Sequence, residues 1–234
     1  MSTPAGILLI DKSLGDTSMH ACRVVRARLR RGGAPKRVRV GHAGTLDPLA
    51  TGLLVVMIGP YTRMCAALMD QPKDYTATID LSATSETDDA EGPLQPIAGA
   101  VPPTTEGLAG ALAALTGVIM QRPPAYSALK LGGRRAYDLA RRGSPIPHDM
   151  PARPVRVDSI TLLRYAWPTA EIAVTCGKGT YIRSLARDIG RGLGVGGYLA
   201  ALRRTRVGDL RVADARTLGQ LPDPLAQSDL TTFT

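Results

Sequence analysis

Apolar positions recur along the chain in several distinct rhythms. Residues 5–10 and 53–58 are short apolar runs closed by polar or glycine residues, the pattern of strands buried on both faces. Residues 75–82 alternate instead. Tyr75, Ala77, Ile79 and Leu81 fall on one side and Thr76, Thr78, Asp80 and Ser82 on the other, as in a strand with one buried face. Over residues 17–31 the spacing becomes helical. Thr17 stands at the capping position, Ala21, Cys22, Val25 and Leu29 form one stripe, and Gly32, Gly33 and Pro35 stop the helix. The same reasoning predicts helices over 61–69, 105–115 and 180–192, and shorter ones over 135–142 and 198–204. It predicts strands over 37–40 and 125–131 and near Val207, and a hairpin of 155–166 with 171–176 turning at Trp167 and Pro168. Residues 41–52 and 86–92 read as loops, the second one acidic, and 93–103 as proline-rich irregular chain. No internal repeat is visible, and no obvious linker precedes residue 213. The expectation is one α+β domain over 1–212 and a short tail over 213–234.

Composition adds limits. With 44% hydrophobic and 21% charged residues among 234, the chain has the balance of a packed protein, which excludes wholesale disorder. Its 25 Gly and 18 Pro predict many loops. No apolar run approaches the roughly 18 residues of a membrane span. No basic region precedes the first apolar run, so a signal peptide is not expected. Cys22, Cys65 and Cys176 lie far apart without a C-x-x-C pair, so neither a disulfide framework nor a zinc site is indicated, and a reducing cytoplasm fits.

Charge changes the picture more. Lys and Arg number 29 against 20 acids, a formal net charge of +9, and 24 of the 29 cations are Arg. Such a surface attracts nucleic acid or an anionic membrane. Between Thr17 and Leu46 stand eight cations and no acid. That stretch is either a solvated helix face or a surface that tracks phosphates. Nine aromatics, seven of them Tyr, are too few for an extended base-stacking platform.

The candidate chemistry lies in Gly41-His42-Ala43-Gly44-Thr45-Leu46-Asp47-Pro48-Leu49-Ala50-Thr51-Gly52. Three glycines and a proline fix an unusual backbone around one isolated carboxylate, Asp47. On local grammar alone an Asp-Pro pair is most often a turn or cap. Three further motifs follow in order: Lys73-Asp74-Tyr75, Arg122-Pro123-Pro124-Ala125-Tyr126-Ser127-Ala128-Leu129-Lys130, and Gly179-Thr180-Tyr181-Ile182-Arg183-Ser184-Leu185. Together the four resemble the signature segments of the TruB family of tRNA pseudouridine synthases, over roughly residues 6–211.

The resemblance implies the pseudouridine synthase fold: a mixed, mostly antiparallel central sheet flanked by helices and loops. It implies a reaction in which the N1–C1′ bond of a flipped-out uridine breaks and C5 bonds to C1′. No atom is gained or lost, so no cofactor and no metal are expected. Asp47 matches the catalytic aspartate, a carboxylate that either attacks the sugar or removes its 2′ proton. No second carboxylate of the kind glycoside hydrolysis needs stands near it in sequence. Arg183 matches the arginine that pairs with that aspartate and would keep it ionised. Tyr75 matches the tyrosine that stacks on the base and helps remove the C5 proton. His42 matches the histidine that fills the space left in the RNA loop, Tyr181 a pocket residue, and Leu202, expected on a helix, an apolar pocket floor. Lys12, Lys130, Arg134, Arg135, Arg141 and Arg142 are candidate RNA contacts, the last five within an expected mobile RNA-clasping segment over 122–147.

The partner implied is the T-arm of tRNA, with no membrane and no obligate protein partner. A full C-terminal RNA-binding domain, common in the family, is not expected in this chain. The leading expectation is isomerisation of uridine 55. The alternatives are a non-catalytic tRNA-folding chaperone and a catalytic subunit of a guide-RNA-dependent pseudouridylation complex.

Overall fold

A computed structural model describes residues 3–126, 130–131, 134–135 and 150–232. The chain divides into two units, residues 1–75 with 202–234, and residues 76–201.

The first unit contains β1 (Gly6–Lys12), α1 (Ser18–Arg31), β2 (Val40–His42), β3 (Ala50–Ile58), α2 (Cys65–Asp70) and the start of β4 (Lys73–Asp80). The second contains the rest of β4, then β5 (Ala83–Ser85), β6 (Leu94–Pro96), α3 (Thr105–Ala114), β7 (Gly117–Gln121), β8 (Lys130–Leu131), β9 (Arg134–Arg135), β10 (Arg153–Ala166), β11 (Thr169–Cys176) and α4 (Ile182–Leu193). The strand β12 (Tyr198–Val207) leads back into the first unit, which ends with β13 (Leu210–Arg211) and three short 3-10 turns. The β1–β3, β2–β3, β7–β10, β10–β11 and β12–β13 pairs are antiparallel, and β3–β12 is parallel. The α+β class with a mixed, mostly antiparallel sheet is therefore observed.

In the first unit β3 is covered on both faces, which is why its apolar run is unbroken. Ala50, Leu54, Val56 and Ile58 face the stripe of α1 formed by Ala21, Cys22, Val25 and Leu29. Leu53, Val55 and Met57 face a second cluster with Ile7, Ala43 and Val207, flanked by Tyr61 and Cys65. The helix α1 begins where expected, with the Thr17 hydroxyl accepting from the His20 amide at 3.0 Å. The chain after residue 213, expected as a short tail, also contributes to this core through Leu221, Leu225 and Leu230.

In the second unit β11 lies between β4 and β10, with β7 outside β10. Its Ala170, Ile172, Val174 and Cys176 are buried in strict alternation, so this is a sheet with one core face. The hairpin β10–β11 turns at Trp167 and Pro168 as predicted.

Several expectations change. The irregular chain expected over 93–103 contains the strand β6, paired antiparallel with β5. The helix expected over 198–204 is the strand β12. Leu202, Arg203 and Arg204 pair in parallel with Ala50, Thr51 and Gly52, and this pairing overrides the helix propensity of a Leu-Ala-Ala-Leu-Arg-Arg run. The helix expected over 61–69 splits into a 3-10 turn, Gly59–Met64, and α2, because Gly59 and Pro60 set a tight start. The strand expected over 37–40 begins only at Val40, after a turn in which the Val38 amide donates to the Pro35 carbonyl. The strand expected over 125–131 is described at Lys130–Leu131. The helix expected over 135–142 lies outside the described residues, apart from Arg135 in β9.

Candidate active site

Asp47 sits in the seven-residue connection from β2 to β3, and that connection is tied down from three sides. From α1, the buried Ser18 hydroxyl donates to the Leu46 carbonyl at 3.0 Å and accepts the Leu46 amide at 2.8 Å. From β1, the fully buried Lys12 ammonium donates to the carbonyls of Ser13 at 2.9 Å, Asp16 at 2.7 Å and Pro48 at 3.4 Å. From β12, the buried Arg204 donates to the Leu53 carbonyl at 2.7 Å and the Gly44 carbonyl at 3.1 Å. The loop's own backbone adds a turn, the Ala50 amide donating to the Asp47 carbonyl at 3.0 Å. Leu46 anchors the tip in the core while Asp47 stays only partly buried. Bonds from charged donors are worth about 1.5–3 kcal/mol each, so this is a stiff support.

Two of the loop's glycines are required by position. Gly44 has φ +88° and Gly52 φ +96°, the left-handed region. A Cβ on Gly52 would stand 2.3 Å from the Arg204 carbonyl oxygen, so close strand pairing demands its absence.

Tyr75 follows two residues that fix the start of β4. The Lys73 ammonium donates to the Met69 and Gln71 carbonyls at the end of α2. The Asp74 carboxylate takes a two-pronged contact from Arg206 at 2.5 and 2.8 Å.

In the second unit Arg183 is held by acceptors on the acidic loop between β5 and β6 and on the segment after β7. Its Nη1 stands 3.2 Å from Asp89 Oδ2 and donates to the Thr87 carbonyl at 3.2 Å, while Nη2 donates to the Tyr126 carbonyl at 2.9 Å. Both members of the ion pair are nearly inaccessible, their side chains 9% and 2% exposed. Asp89 is itself positioned by the Thr87 hydroxyl at 2.5 Å and the Glu91 amide at 3.1 Å. One turn along α4, Arg187 reaches Asp88 at 2.7 Å and Asp188 at 3.0 Å. Burial pushes the Asp88 carboxyl up to about 6, against the opposing pull of Arg187 and Arg183 and with help from Asp188. Asp88 adopts a left-handed backbone, φ +61°.

The start of α4 is fixed by Gln121 on β7. Its side-chain oxygen accepts the Tyr181 amide at 2.8 Å and its nitrogen donates to the Tyr181 carbonyl at 3.1 Å. The Tyr181 ring faces the Arg153 guanidinium at 5.3 Å.

The family model described as TruB family pseudouridylate synthase (N terminal domain) matches residues 31–182, well over half of the chain. That described as tRNA pseudouridylate synthase B C-terminal domain matches residues 183–231. A protein named tRNA pseudouridine synthase B from Mycobacterium tuberculosis (strain ATCC 25618 / H37Rv) is 46% identical over 231 residues, 97% of this chain and 75% of its own length. The chain belongs to the TruB family. The protein of the same name from Streptomyces coelicolor is 44% identical over 233 residues, covering 96% of this chain and 75% of its own. Among solved structures, a chain in a Cbf5-Nop10-Gar1 complex superposes with TM-score 0.65 at 30% identity, covering 88% of this chain and 50% of that one. A chain of an H/ACA RNP bound to a substrate RNA containing 2′-deoxyuridine gives 0.66 at 27%, covering 92% and 52%. The chain thus spans three quarters of those curated TruB relatives and about half of the solved chains.

Of the residues proposed from the TruB resemblance, Asp47, His42, Lys12, Tyr75 and Leu202 lie in the first unit. Leu202 packs on the cluster that holds Leu46 and Ala50, from a strand and not the expected helix. His42 ends β2, its carbonyl facing the Cys65 thiol at 3.7 Å. Lys12 differs from its expected role as an RNA contact: with 0% exposure its ammonium serves the Asp47 loop from beneath. Arg183 and Tyr181 lie in the second unit, with the backbone of Lys130, Arg134 and Arg135 in the β8–β9 pair. Arg141 and Arg142 lie outside the described residues.

Sequence reasoning missed Ser18, Arg204, Gln121 and Asp89. Arg204 was hidden by the helix reading of its segment. Asp89 sat in the one acidic cluster of a basic chain, a signal that it answers a buried cation. Among the described residues no group of three His, Cys, Asp or Glu side chains could hold a metal ion, and no helix is long and apolar enough to cross a membrane.

Proposed function

We infer that this chain is a tRNA pseudouridine synthase that isomerises uridine 55 in the T-loop. The observation that carries the reading is the construction of the Asp47 loop. Asp47, the one acid in the sequence of this loop, stands on a backbone clamped by buried Lys12, Ser18 and Arg204, within the span that matches the family. Such a clamp holds one group at a fixed place against a reacting carbon, the requirement for orientation in catalysis.

In this reading Asp47 supplies the carboxylate that meets the sugar of the flipped-out uridine. The N1–C1′ bond breaks, the uracil turns, C5 bonds to C1′, the C5 proton leaves, and N1 takes up a proton, so the composition is unchanged. Arg183 supplies the guanidinium that the TruB resemblance assigns to the reaction, and Asp89 acts as its positioning residue. Tyr75 supplies the ring that stacks on the base and a hydroxyl for the C5 proton. His42, Tyr181 and Leu202 are the further substrate-binding residues that the resemblance assigns. Lys130, Arg134, Arg135, Arg141 and Arg142 contact the T-arm backbone.

The test is to incubate the protein with unmodified tRNA transcript and map pseudouridine by position. One pseudouridine at position 55 is expected, and none in a transcript with cytidine there. No pseudouridine anywhere, with tRNA bound, contradicts the reading.

A further inference from the structure

The first unit carries a second feature that the Asp47 chemistry does not use. Along α1 and the turn after it, the cations sort into two groups. Arg26, Arg28 and Arg31 are engaged within the protein. Arg26 donates to the Val40 carbonyl at 2.9 Å, Arg28 to the Leu218 and Leu221 carbonyls at 2.8 and 2.7 Å, and Arg31 forks onto Asp223 at 2.6 Å. Arg23, Arg30, Lys36, Arg37 and Arg39 are all exposed. Among the described residues none of these five meets a carboxylate.

These five share one region. Arg23 and Arg30 are seven residues apart on α1, two turns and about 10.5 Å along one face. Arg30 donates to the Lys36 carbonyl, which brings the turn against the end of the helix. Arg37 and Arg39 flank Val38, which is buried in the same core cluster as the α1 stripe, while both arginines are exposed. Five unopposed cations at this spacing repel one another until an anion with repeated charges meets them.

We propose that this face of α1 and its following turn is a docking surface for the phosphate backbone of an RNA stem, separate from the residues that handle the flipped base. It deepens the reading of the chain as a tRNA-modifying enzyme and rests on it. RNA backbone fits better than bases, because residues 17–46 contain no Phe, Tyr or Trp on which a base could stack. It fits better than a membrane, because the apolar stripe of α1 is already buried against β3 and is not available for insertion. Contact of this kind is independent of sequence and reads the A-form backbone.

The test compares wild type with a fourfold variant, Arg23→Gln, Lys36→Gln, Arg37→Gln and Arg39→Gln. Arg30 is kept because it bridges to the turn. Binding of unmodified tRNA is measured across a salt series, with turnover at rising tRNA. The variant should lose at least tenfold in affinity near 0.1 M salt, and the slope of log K against log salt should flatten by about two to four. KM should rise with kcat within about twofold. A companion with Arg23→Lys, Arg37→Lys and Arg39→Lys keeps the charge and should bind as wild type does, which separates lost charge from lost folding. An unchanged salt slope in the Gln variant overturns the proposal. So does equal loss in the Lys variant, or patch-dependent binding to anionic phospholipid vesicles with tRNA binding unaffected. Absence of pseudouridine formation by wild type sinks the functional reading instead, and the salt series distinguishes the two failures.

Discussion

The supports of Asp47 and Arg183 are built on opposite plans. Around Asp47 the buried groups are cations, Lys12 and Arg204, and they hold backbone carbonyls. Around Arg183 the buried partner is an anion, Asp89, and it holds the side chain itself, together with two carbonyls. The first plan fixes the backbone of a loop. The second fixes a charge beside a group that titrates, the Asp88 carboxyl that burial raises against the pull of Arg187 and Arg183. Damage to the first should therefore appear as lost backbone geometry and stability, and damage to the second as lost charge balance and altered pH response.

The sharpest break in that contrast is Asp89→Ala. It breaks the buried Arg183–Asp89 ion pair from one side, a change that costs about 3–5 kcal/mol. We expect a denaturation midpoint lowered accordingly and kcat reduced at least a hundredfold; a variant with normal stability and kcat removes Asp89 from the account. Next comes Gly52→Ala. The added methyl meets the Arg204 carbonyl at 2.3 Å in a left-handed conformation. A loss of about 3 kcal/mol is expected, with turnover falling as the loop shifts. A crystal structure with the Asp47 loop unmoved would show that the close strand pairing does not position it. Lys12→Met should cost about 2 kcal/mol by leaving loop carbonyls without their donor. It should leave the salt slope of tRNA binding unchanged, whereas a changed slope would return Lys12 to the RNA surface.

The last comparison concerns pH. The Asp88 carboxyl is raised from 3.8 to about 6 in the folded protein, so the folded state holds that proton more tightly than the unfolded chain. The stability this contributes is full below about pH 4 and is lost as pH rises to about 6. Asp88→Asn should flatten stability across that window. An equally steep curve in the variant would place the titration elsewhere.

Much of this was legible in the sequence, and the remainder was hidden for physical reasons. The α1 stripe, the β10–β11 hairpin and the alternation of β4 are local patterns, and they appear where the spacing puts them. Asp47, Tyr75 and Arg183 stood out because motifs of fixed spacing carry them. The strand β12 was not legible, since only its pairing with Ala50 to Gly52 turns a helix-favouring run into a strand. Arg204 and Lys12 looked like two more surface cations in a chain of 29. Their burial follows from carbonyls up to 160 residues away in sequence, which no local pattern records.

The most direct measurement is tritium release from tRNA carrying C5-labelled uridine, comparing wild type with Asp47→Asn under single turnover. Forming the C5–C1′ bond expels the C5 hydrogen, and the substitution removes the carboxylate with almost no change in volume. The account predicts rapid release by wild type, release slowed by about a thousandfold or more in Asp47→Asn, and tRNA affinity within a fewfold of wild type. Release by Asp47→Asn at the wild-type rate would contradict it.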